Sequence, residues 1–427
     1  MVTDMKKDSI FIFEEIKKIT DTNFYTQIYK CAEMYSDFYN EGKIEAADER
    51  KRDINYYFPN QFIKKENTIV LIAHELTRTG APVVLADMAQ KFVDDGYNVL
   101  VFSPTDGPLK DDFLMMGCIV IIQPALLKGR YSGEEILEEK EVSILSAAIV
   151  DAKVVVFITL VLHNVIKHFI GKEHTIFWWL HEGEVSFKAC CDLVPKELSD
   201  NIKILCGGEY VRNQLDKFSL SNYKGEILNY GVEDISQTRK FSNIRDKRVT
   251  FICAATIDYR KGQDIFVEAI KQLSTKQLEK SKFIFIGTAH NRYVEKKVKK
   301  LSETFENVIL LQEVSREELF DLYDECDSIV CTSRDDPMPV VLTENMCLGN
   351  ICVVSDRTGT ASYIEDYVNG YVFESENINQ LVDRLGFIID NIENLDNVRR
   401  KSRLIYETYF TEHVFRDNVD LLMKKYS

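Results

Sequence analysis

The chain has 427 residues, of which 45% are hydrophobic and 28% are charged. This composition is that of a folded globular protein, and the length predicts two or three domains rather than one core. Acidic residues (68) outnumber basic ones (53), and the net charge of −15 argues against nucleic acid as the main partner, because a phosphate backbone is bound by a basic surface. A local basic pocket remains compatible with this charge.

Membrane insertion and secretion are also disfavoured by the sequence. The longest apolar run, residues 154–162, is followed by His163 and Asn164, and a bilayer-spanning helix needs ~20 apolar residues. The first residues lack the apolar segment of a signal peptide. We therefore expect a cytoplasmic protein, with peripheral contact at the inner face of the membrane left open. The ten cysteines contain no C-x-x-C pair, which favours free thiols over a zinc site.

The pattern of apolar residues changes after the first 60 residues. Residues 1–60 are predicted to form a polar helical cap. From residue 61, continuous apolar runs such as TIVLIA (68–73) alternate with amphipathic helices such as VVLADMAQKFVDDG (83–96). Strands of this kind are typical of a parallel sheet covered by helices on both faces. The pattern predicts a first Rossmann-like α/β domain at residues 61–230.

A charged segment, residues 236–248, precedes a second series of alternating strands and helices. It predicts another Rossmann-like domain at residues 231–400. Residues 401–427 are predicted to form a C-terminal helix that returns to the first domain. The expected fold class is thus α/β, with two doubly wound domains that face each other across a cleft. In such folds, ligands bind at the carboxyl ends of the strands.

Two positions of the first half follow predicted strands. Gly80 precedes a helix, whose first backbone N–H groups suit a phosphate, although the same glycine also suits a simple tight turn. His181 follows the strand IFWWL and can bind a sugar hydroxyl or stabilise charge, although a lone histidine is more often structural. No G-x-G-x-x-G or G-x-x-x-x-G-K-[ST] motif follows a strand, which disfavours an NAD enzyme or a P-loop NTPase.

Two further segments stand out in the second half. Arg260 and Lys261 precede a glycine at the start of a helix, where they form either a diphosphate site or a solvated basic turn. Asp336 lies in a proline-rich loop after a strand, and Glu344 lies eight residues further on in a helix. The two carboxylates can accept hydrogen bonds from the hydroxyl groups of a ribose and a sugar. The alternative is a helix-capping aspartate followed by a solvated glutamate.

Together these segments resemble the family-4 retaining glycosyltransferases, which have the two-domain GT-B fold. The resemblance covers about residues 67–425. The pair Asp336 and Glu344 resembles the Glu-x7-Glu motif of that family. KGQDIFVEAI resembles the helix that follows its phosphate-binding lysine. HELTRTGAP and WWLHEGE resemble its first loop and its acceptor-side histidine loop.

The resemblance implies a site, residue by residue. Its catalytic residues would be His181, Asp336 and Glu344. The nucleotide and its phosphates would be bound by Gly80, Thr256, Arg260, Lys261, Val314 and Glu344. The donor sugar would lie against His181, Asp336, Pro337, Met338, Pro339 and Val340. Within these sets, Glu344 would hold the ribose, Lys261 would neutralise the diphosphate, and His181 would help the sugar to depart.

The sequence also departs from the family pattern. Asp336 is one methylene shorter than the glutamate of the motif. Thr256 stands where many members carry an arginine, for which Arg260 is the candidate replacement. Thr358-Gly359 replaces a Gly-Gly pair, and Ser362 replaces a glutamate. These changes leave the identity of the donor open.

The implied reaction is a metal-independent, retaining transfer of a hexose from a nucleotide sugar, such as a UDP-sugar, without a cofactor. The sequence contains no Asp-x-Asp pair, which disfavours the metal-dependent GT-A class. The expected acceptor is a glycan or a lipid-linked saccharide in the assembly of a bacterial surface polysaccharide. Two alternatives remain: a degenerate glycosyltransferase that binds or chaperones a partner, and a sugar-nucleotide epimerase of the same fold. The sequence leaves the oligomeric state open.

Overall fold

The computed structural model describes residues 12, 14–40, 54–78, 80–130, 135–218, 220, 223–236 and 248–426. They form two compact units. The first contains the described residues within Met1–Cys206, Gln214–Ile227 and Asn418–Ser427. The second contains those within Gly207–Asn213 and Leu228–Asp417. Of the predicted N-terminal cap, residues 1–11, 13 and 41–53 lie outside the described residues.

The first unit is built on an eight-stranded sheet with the order β1-β4-β3-β2-β5-β6-β7-β8. Its strands are β1 (Asn55–Tyr57), β2 (Thr68–Ile72), β3 (Asn98–Ser103), β4 (Ile119–Ile122), β5 (Val154–Ile158), β6 (Ile176–Leu180), β7 (Ile202–Cys206) and β8 (Glu226–Ile227). All pairs are parallel except β1 with β4, which is antiparallel. The strands β2 to β6 are buried along their whole length, because helices cover both faces of the sheet.

Counting only the residues that the structure describes, seven α-helices occur between the N-terminus and residue 227. They are α1 (Phe24–Asn40), α2 (Ala81–Asp94), α3 (Leu109–Met116), α4 (Ser143–Val150), α5 (His163–Ile166), α6 (Glu184–Cys190) and α7 (Glu209–Lys217). Helix α2 carries Lys91, which is 2% exposed and pairs with Asp95 and with Asp420 near the C-terminus. The last residues of the chain are tied to the first unit in this way.

The second unit contains a six-stranded parallel sheet with the order β11-β10-β9-β12-β13-β14. Its strands are β9 (Val249–Ala254), β10 (Ser281–Ile286), β11 (Val308–Leu311), β12 (Ser328–Cys331), β13 (Ile351–Ser355) and β14 (Tyr371–Phe373). Phenylalanine rings fill the space between the sheet and a helix of this unit. The ring of Phe251 stacks on that of Phe283, and the ring of Phe266 packs against those of Phe283 and Phe285.

The helices of the second part are α8 (Gln263–Ile270), α9 (Thr275–Glu279), α10 (Arg292–Thr304), α11 (Arg316–Glu325), α12 (Val340–Cys347), α13 (Ile378–Asn391), α14 (Asp396–Tyr409) and α15 (Glu412–Tyr426). Helix α15 begins in the second unit and ends in the first. None of the helices within the described ranges is long and apolar enough to cross a bilayer.

Both sheets reverse the direction in which the chain adds strands. In the first unit the reversal lies between β2 and β5, and in the second it lies between β9 and β12. In doubly wound folds the loops that follow the two strands at this point form the ligand-binding edge. The prediction of two doubly wound α/β domains is confirmed. The reversal points identify the loops after β2 and β5 in the first unit, and after β9 and β12 in the second, as candidate ligand-binding loops.

Candidate functional site

In the second unit, the loops after β9 and β12 bring together Lys261 and Asp336. Lys261 ends a short 3-10 turn, Tyr259–Lys261, and its Nζ lies 2.5 Å from Oδ2 of Asp336. The Ser333 hydroxyl donates to the same oxygen at 3.3 Å. The two charged side chains are only 17% and 8% exposed. A cation and a carboxylate thus form a partly buried ion pair at the switch point of the sheet.

Two glycines allow these loops to approach each other. Gly262 has φ +69°, and a Cβ there would lie 2.1 Å from the carbonyl oxygen of Thr332. A Cβ on Gly359 would lie 1.5 Å from the carbonyl oxygen of Pro337. The Gly359 N–H instead donates to the Asp336 carbonyl at 2.8 Å. Replacing either glycine would therefore push apart the segments that carry Lys261 and Asp336.

Arg260 lies along the same loop as Asp336. Its guanidinium donates to the carbonyl oxygen of Asp335 at 2.7 Å, and its own carbonyl accepts from the Arg334 N–H at 2.8 Å. Thr256 contributes its backbone, since its carbonyl accepts from the buried Gln263 amide at 2.9 Å. The second cation beside Lys261 is therefore Arg260, whose guanidinium is fixed on the loop that carries Asp336.

Glu344 is completely buried in α12. The guanidinium of Arg316 bonds to its Oε1, and the Tyr323 hydroxyl donates to its Oε2 at 3.3 Å. Burial raises the pKa of Glu344, and the charge of Arg316 opposes that rise. The alternative of a capping aspartate and a solvated glutamate is wrong, because Pro339 is the residue that caps α12 and Glu344 has no exposed surface.

The segment that joins Asp336 to α12 is held at Met338 by a tyrosine. Pro339 is buried, and Pro337, Met338 and Val340 are half-buried. The Tyr230 hydroxyl donates to the Met338 carbonyl at 3.3 Å. Val314 is half-buried in the turn before Ser315, which starts α11. These positions lie on the two loops next to the Glu344 and Arg316 pair.

In the first unit, His181 directly follows β6. Its ring centroid lies 4.4 Å from that of Trp179. Burial, helped by the nearby His74, lowers the pKa of His181 to about 3. Its Nε2 is buried, and no hydrogen-bond partner for it exists among the described residues. His181 is therefore a neutral imidazole at physiological pH, which can exchange a hydrogen bond but does not supply a positive charge.

Glu182 connects this histidine to the loop after β5. Its Oε2 accepts from the His181 N–H at 2.9 Å, and its Oε1 accepts from the Leu160 N–H. Burial raises the pKa of Glu182 to about 7, while these backbone donors oppose the rise. The neighbouring Thr159 has φ +78°, a conformation that β-branched residues rarely adopt. The Trp178 Nε1 donates to the Thr159 carbonyl at 2.7 Å and holds it there.

Gly80 is the N-cap of α2 and has φ +53°. A Cβ there would meet no atom within 4 Å, so the glycine serves the backbone conformation rather than space. His74 follows β2 at the other end of the same loop. Burial lowers the pKa of His74 to about 4, and its Nδ1 also has no partner within the described part of the chain.

The second unit thus brings Arg260, Lys261 and Asp336 together, and Glu344 lies further along the same connection. The first unit places Gly80 and His181 after different strands of its sheet. Sequence reasoning missed Arg316, Tyr323, Ser333 and His74. The Ser315–Glu318 capping box, visible as S-R-E-E, marks the start of α11 and could have drawn attention to Arg316. Among the described residues, no group of three or more His, Cys, Asp or Glu side chains is arranged to hold a metal ion.

Family models match most of the chain. Residues 65–198 match the model described as glycosyl-transferase family 4, and residues 234–404 match that described as glycosyl transferases group 1. The two matches together include well over half of the chain.

Two curated relatives are themselves uncharacterized glycosyltransferases. The one from Methanocaldococcus jannaschii is 26% identical over 191 residues, which are 45% of this chain and 50% of the relative. The one from Haemophilus influenzae is 24% identical over 281 residues, which are 65% of this chain and 76% of the relative. The chain therefore spans about half the length of the first of these relatives.

A solved structure supports the fold. The crystal structure of Anabaena Alr3699/HepE in complex with UDP-glucose superimposes with a TM-score of 0.63 at 16% identity, and the match covers 84% of this chain and 100% of that one. At this identity the likeness concerns the fold alone.

Proposed function

The chain belongs to the family-4-type glycosyltransferases with the two-domain GT-B fold, and on this premise we propose that it transfers a hexose from a nucleoside-diphosphate sugar with retention of configuration. The observation that carries the proposal is the Lys261–Asp336 pair, with Arg260 alongside, at the switch point of the second sheet. This is the place where a doubly wound domain binds a nucleotide.

Lys261 and Arg260 act on the leaving group. Breaking the bond between the sugar C1 and the diphosphate oxygen leaves negative charge on the diphosphate. Cations fixed in place before the reaction stabilise that charge without reorganising, and such stabilisation is usually the largest single contribution to catalysis. This cationic charge comes from the chain itself, so we propose that no metal is needed.

Asp336 accepts a hydrogen bond from Lys261 and would accept another from the donor sugar. Its Oδ2 already accepts from Lys261 and Ser333, whereas Oδ1 remains for a hydroxyl of the donor sugar. The shorter aspartate fits this double role, since the Lys261 ammonium lies directly against it. The backbone of Pro337, Met338, Pro339 and Val340 continues the sugar-binding segment.

His181 provides a hydrogen bond to the sugar. Its buried Nε2 suits a hydroxyl group of the donor, and its neutral state agrees with a binding role. In retention by same-face attack, the acceptor oxygen bonds to C1 as the C1–diphosphate bond breaks. The acceptor proton then passes to the departing diphosphate oxygen, so that no protein nucleophile is required. Gly80 and Val314 would contact the phosphates and the base respectively.

The donor that we propose is a UDP-sugar, a choice supported by the fold shared with a protein whose crystal structure contains UDP-glucose. The acceptor that we propose is a glycan or a lipid-linked saccharide, used in bacterial surface polysaccharide assembly and reached from the cytoplasmic side. This part rests on the family resemblance.

The experiment is an incubation of the full chain with a panel of UDP-, GDP-, ADP- and dTDP-sugars. Release of the nucleoside diphosphate is followed with and without membrane lipid extracts as the source of acceptor, and the anomeric configuration of the product is read by NMR. We expect one donor to be used, with the configuration retained and with undiminished turnover in EDTA. Binding of a nucleotide sugar without any transfer or hydrolysis would favour the non-enzymatic alternative, and an epimerised donor would favour the epimerase.

A further inference from the structure

Helix α11 begins with an arginine at a position that helices disfavour. Arg316 is its first residue, where a cation lies against the positive end of the helix dipole. Ser315 and Glu318 form a complete capping box at the same end, so the helix does not need Arg316 in order to start. The location of this cation therefore calls for a reason other than helix stability.

Arg316 is held in place by two contacts. Its guanidinium bonds to the buried Oε1 of Glu344 and lies 4.6 Å from the ring centroid of Phe320. The side chain is nevertheless 59% exposed. A planar cation is thus fixed on an aromatic ring along one side, with much of its surface open to a ligand.

We infer that Arg316 is a nucleotide-binding residue: the base of the donor stacks on its open guanidinium, and the same group orients Glu344 toward the ribose hydroxyls. Guanidinium planes stack readily on aromatic rings, and their remaining N–H groups bond to carbonyl oxygens such as those of uracil. The inference deepens the proposed function and rests on it.

The role of Arg316 is separable from that of Lys261. Lys261 lies in the loop after β9, beside Asp336, and is assigned to the diphosphate. Arg316 lies in the helix after β11, where its contacts within the described part of the chain are with Glu344 and Phe320 and not with Lys261 or Asp336. Loss of Arg316 should therefore weaken binding of a nucleotide but leave binding of inorganic pyrophosphate unchanged.

The test is calorimetric titration of the full chain. Titrations with UDP, GDP, ADP and dTDP identify the nucleotide that binds most tightly, and inorganic pyrophosphate is titrated alongside. Arg316→Ala should weaken the nucleotide at least about fivefold, because stacking of one base contributes ~1–3 kcal/mol, and should leave pyrophosphate as in the wild type. Arg316→Lys keeps the charge but not the plane, so it should also bind the nucleotide more weakly than the wild type.

Arg292→Ala is the matched control, since Arg292 is also the exposed first residue of a helix of this unit. It should leave both affinities within about twofold of the wild type. Nucleotide binding by Arg316→Ala or Arg316→Lys at wild-type strength would overturn the inference, as would a parallel loss of pyrophosphate binding. If the wild type binds none of the four nucleotides, the proposed function itself fails.

Discussion

Lys261 and Asp336 form a hydrogen-bonded ion pair with 2.5 Å between Nζ and Oδ2, although they are 75 residues apart in the chain. The pair exists because β9 and β12 are neighbours at the point where the second sheet reverses its strand order. The loops that follow both strands end at the same edge, which places the lysine against the carboxylate. A bound diphosphate would share this ammonium with Asp336.

Replacing Lys261 by alanine should lower kcat/KM for the nucleotide sugar about 100-fold or more, because a preorganised charge on the leaving group contributes ~3–4 kcal/mol to catalysis. Donor-dependent release of the nucleoside diphosphate measures the effect. Lys271→Ala removes an exposed lysine that pairs with Glu268 on the same stretch of chain, and it should have little effect. Wild-type turnover by the Lys261 variant would show that the diphosphate binds elsewhere.

Replacing His181 by alanine should lower kcat more than it weakens nucleotide binding. The imidazole is assigned to the sugar, whereas the proposed contacts to the ribose and the base lie in the second unit. A loss of about 10- to 100-fold in kcat is expected for one hydrogen bond made in the transition state. Steady-state kinetics and titration with UDP separate the two quantities. A variant that loses nucleotide affinity and keeps kcat would contradict the assignment.

Acidification should lower the activity through Glu182. Because the pKa of this carboxyl is raised to about 7, Glu182 is ionised at pH 8 and largely protonated at pH 6. Only the carboxylate accepts fully from both the His181 and the Leu160 N–H groups, so kcat should fall as the pH drops through 7. Glu182→Gln should have a low kcat that does not change over this range. The titratable and charged groups nearby are His181, His74, Cys190 and Arg130. Burial lowers the pKa of His181 to about 3 and that of His74 to about 4, and it raises the pKa of the Cys190 thiol.

Stability should change with pH in the opposite direction to activity. A carboxyl whose pKa is raised in the folded state stabilises the fold most below its unfolded value of 4.5, and this contribution is lost as the pH rises through about 7. The wild type should therefore lose unfolding free energy between pH 6 and pH 8 relative to Glu182→Gln. Urea unfolding of both proteins at pH 6 and pH 8 measures this difference in unfolding free energy. Glu184→Gln, which alters a surface pair with Lys217, is the control and should follow the wild type.

Replacing Gly359 by alanine should destabilise the second unit by about 1–3 kcal/mol, the usual cost of forcing extra atoms into a packed region. The added methyl group would collide with the Pro337 carbonyl and displace the loop that carries Asp336. Urea unfolding gives the stability, and donor turnover should fall in the folded variant. Gly117→Ala meets no atom within 4 Å and adds only the strain of its positive φ, so it should cost less. Equal losses in the two variants would mean that the contact with Pro337 is not the cause.

Much of the site was accessible to sequence reasoning because it follows one local rule. His181 follows an apolar strand, and Lys261 and Asp336 lie in loops that follow apolar strands, as polar residues at the ligand edge of such sheets do. His74 obeys the same rule after TIVLIA, so the same reasoning would have found it. Arg316 was missed because the contact that fixes its guanidinium joins it to Glu344, 28 residues further along the chain, and the sequence does not show that contact.

The sequence by itself determined that this protein has two doubly wound α/β domains, because the alternation of apolar strands and amphipathic helices is set by residues a few positions apart. Only the tertiary structure decided which side chains meet. The order of strands in each sheet depends on the packing of the whole domain, and it alone places Lys261 against Asp336. The same packing buries Glu344 beneath Arg316 and lowers the pKa of His181, since burial is a property of the surroundings and not of the residue.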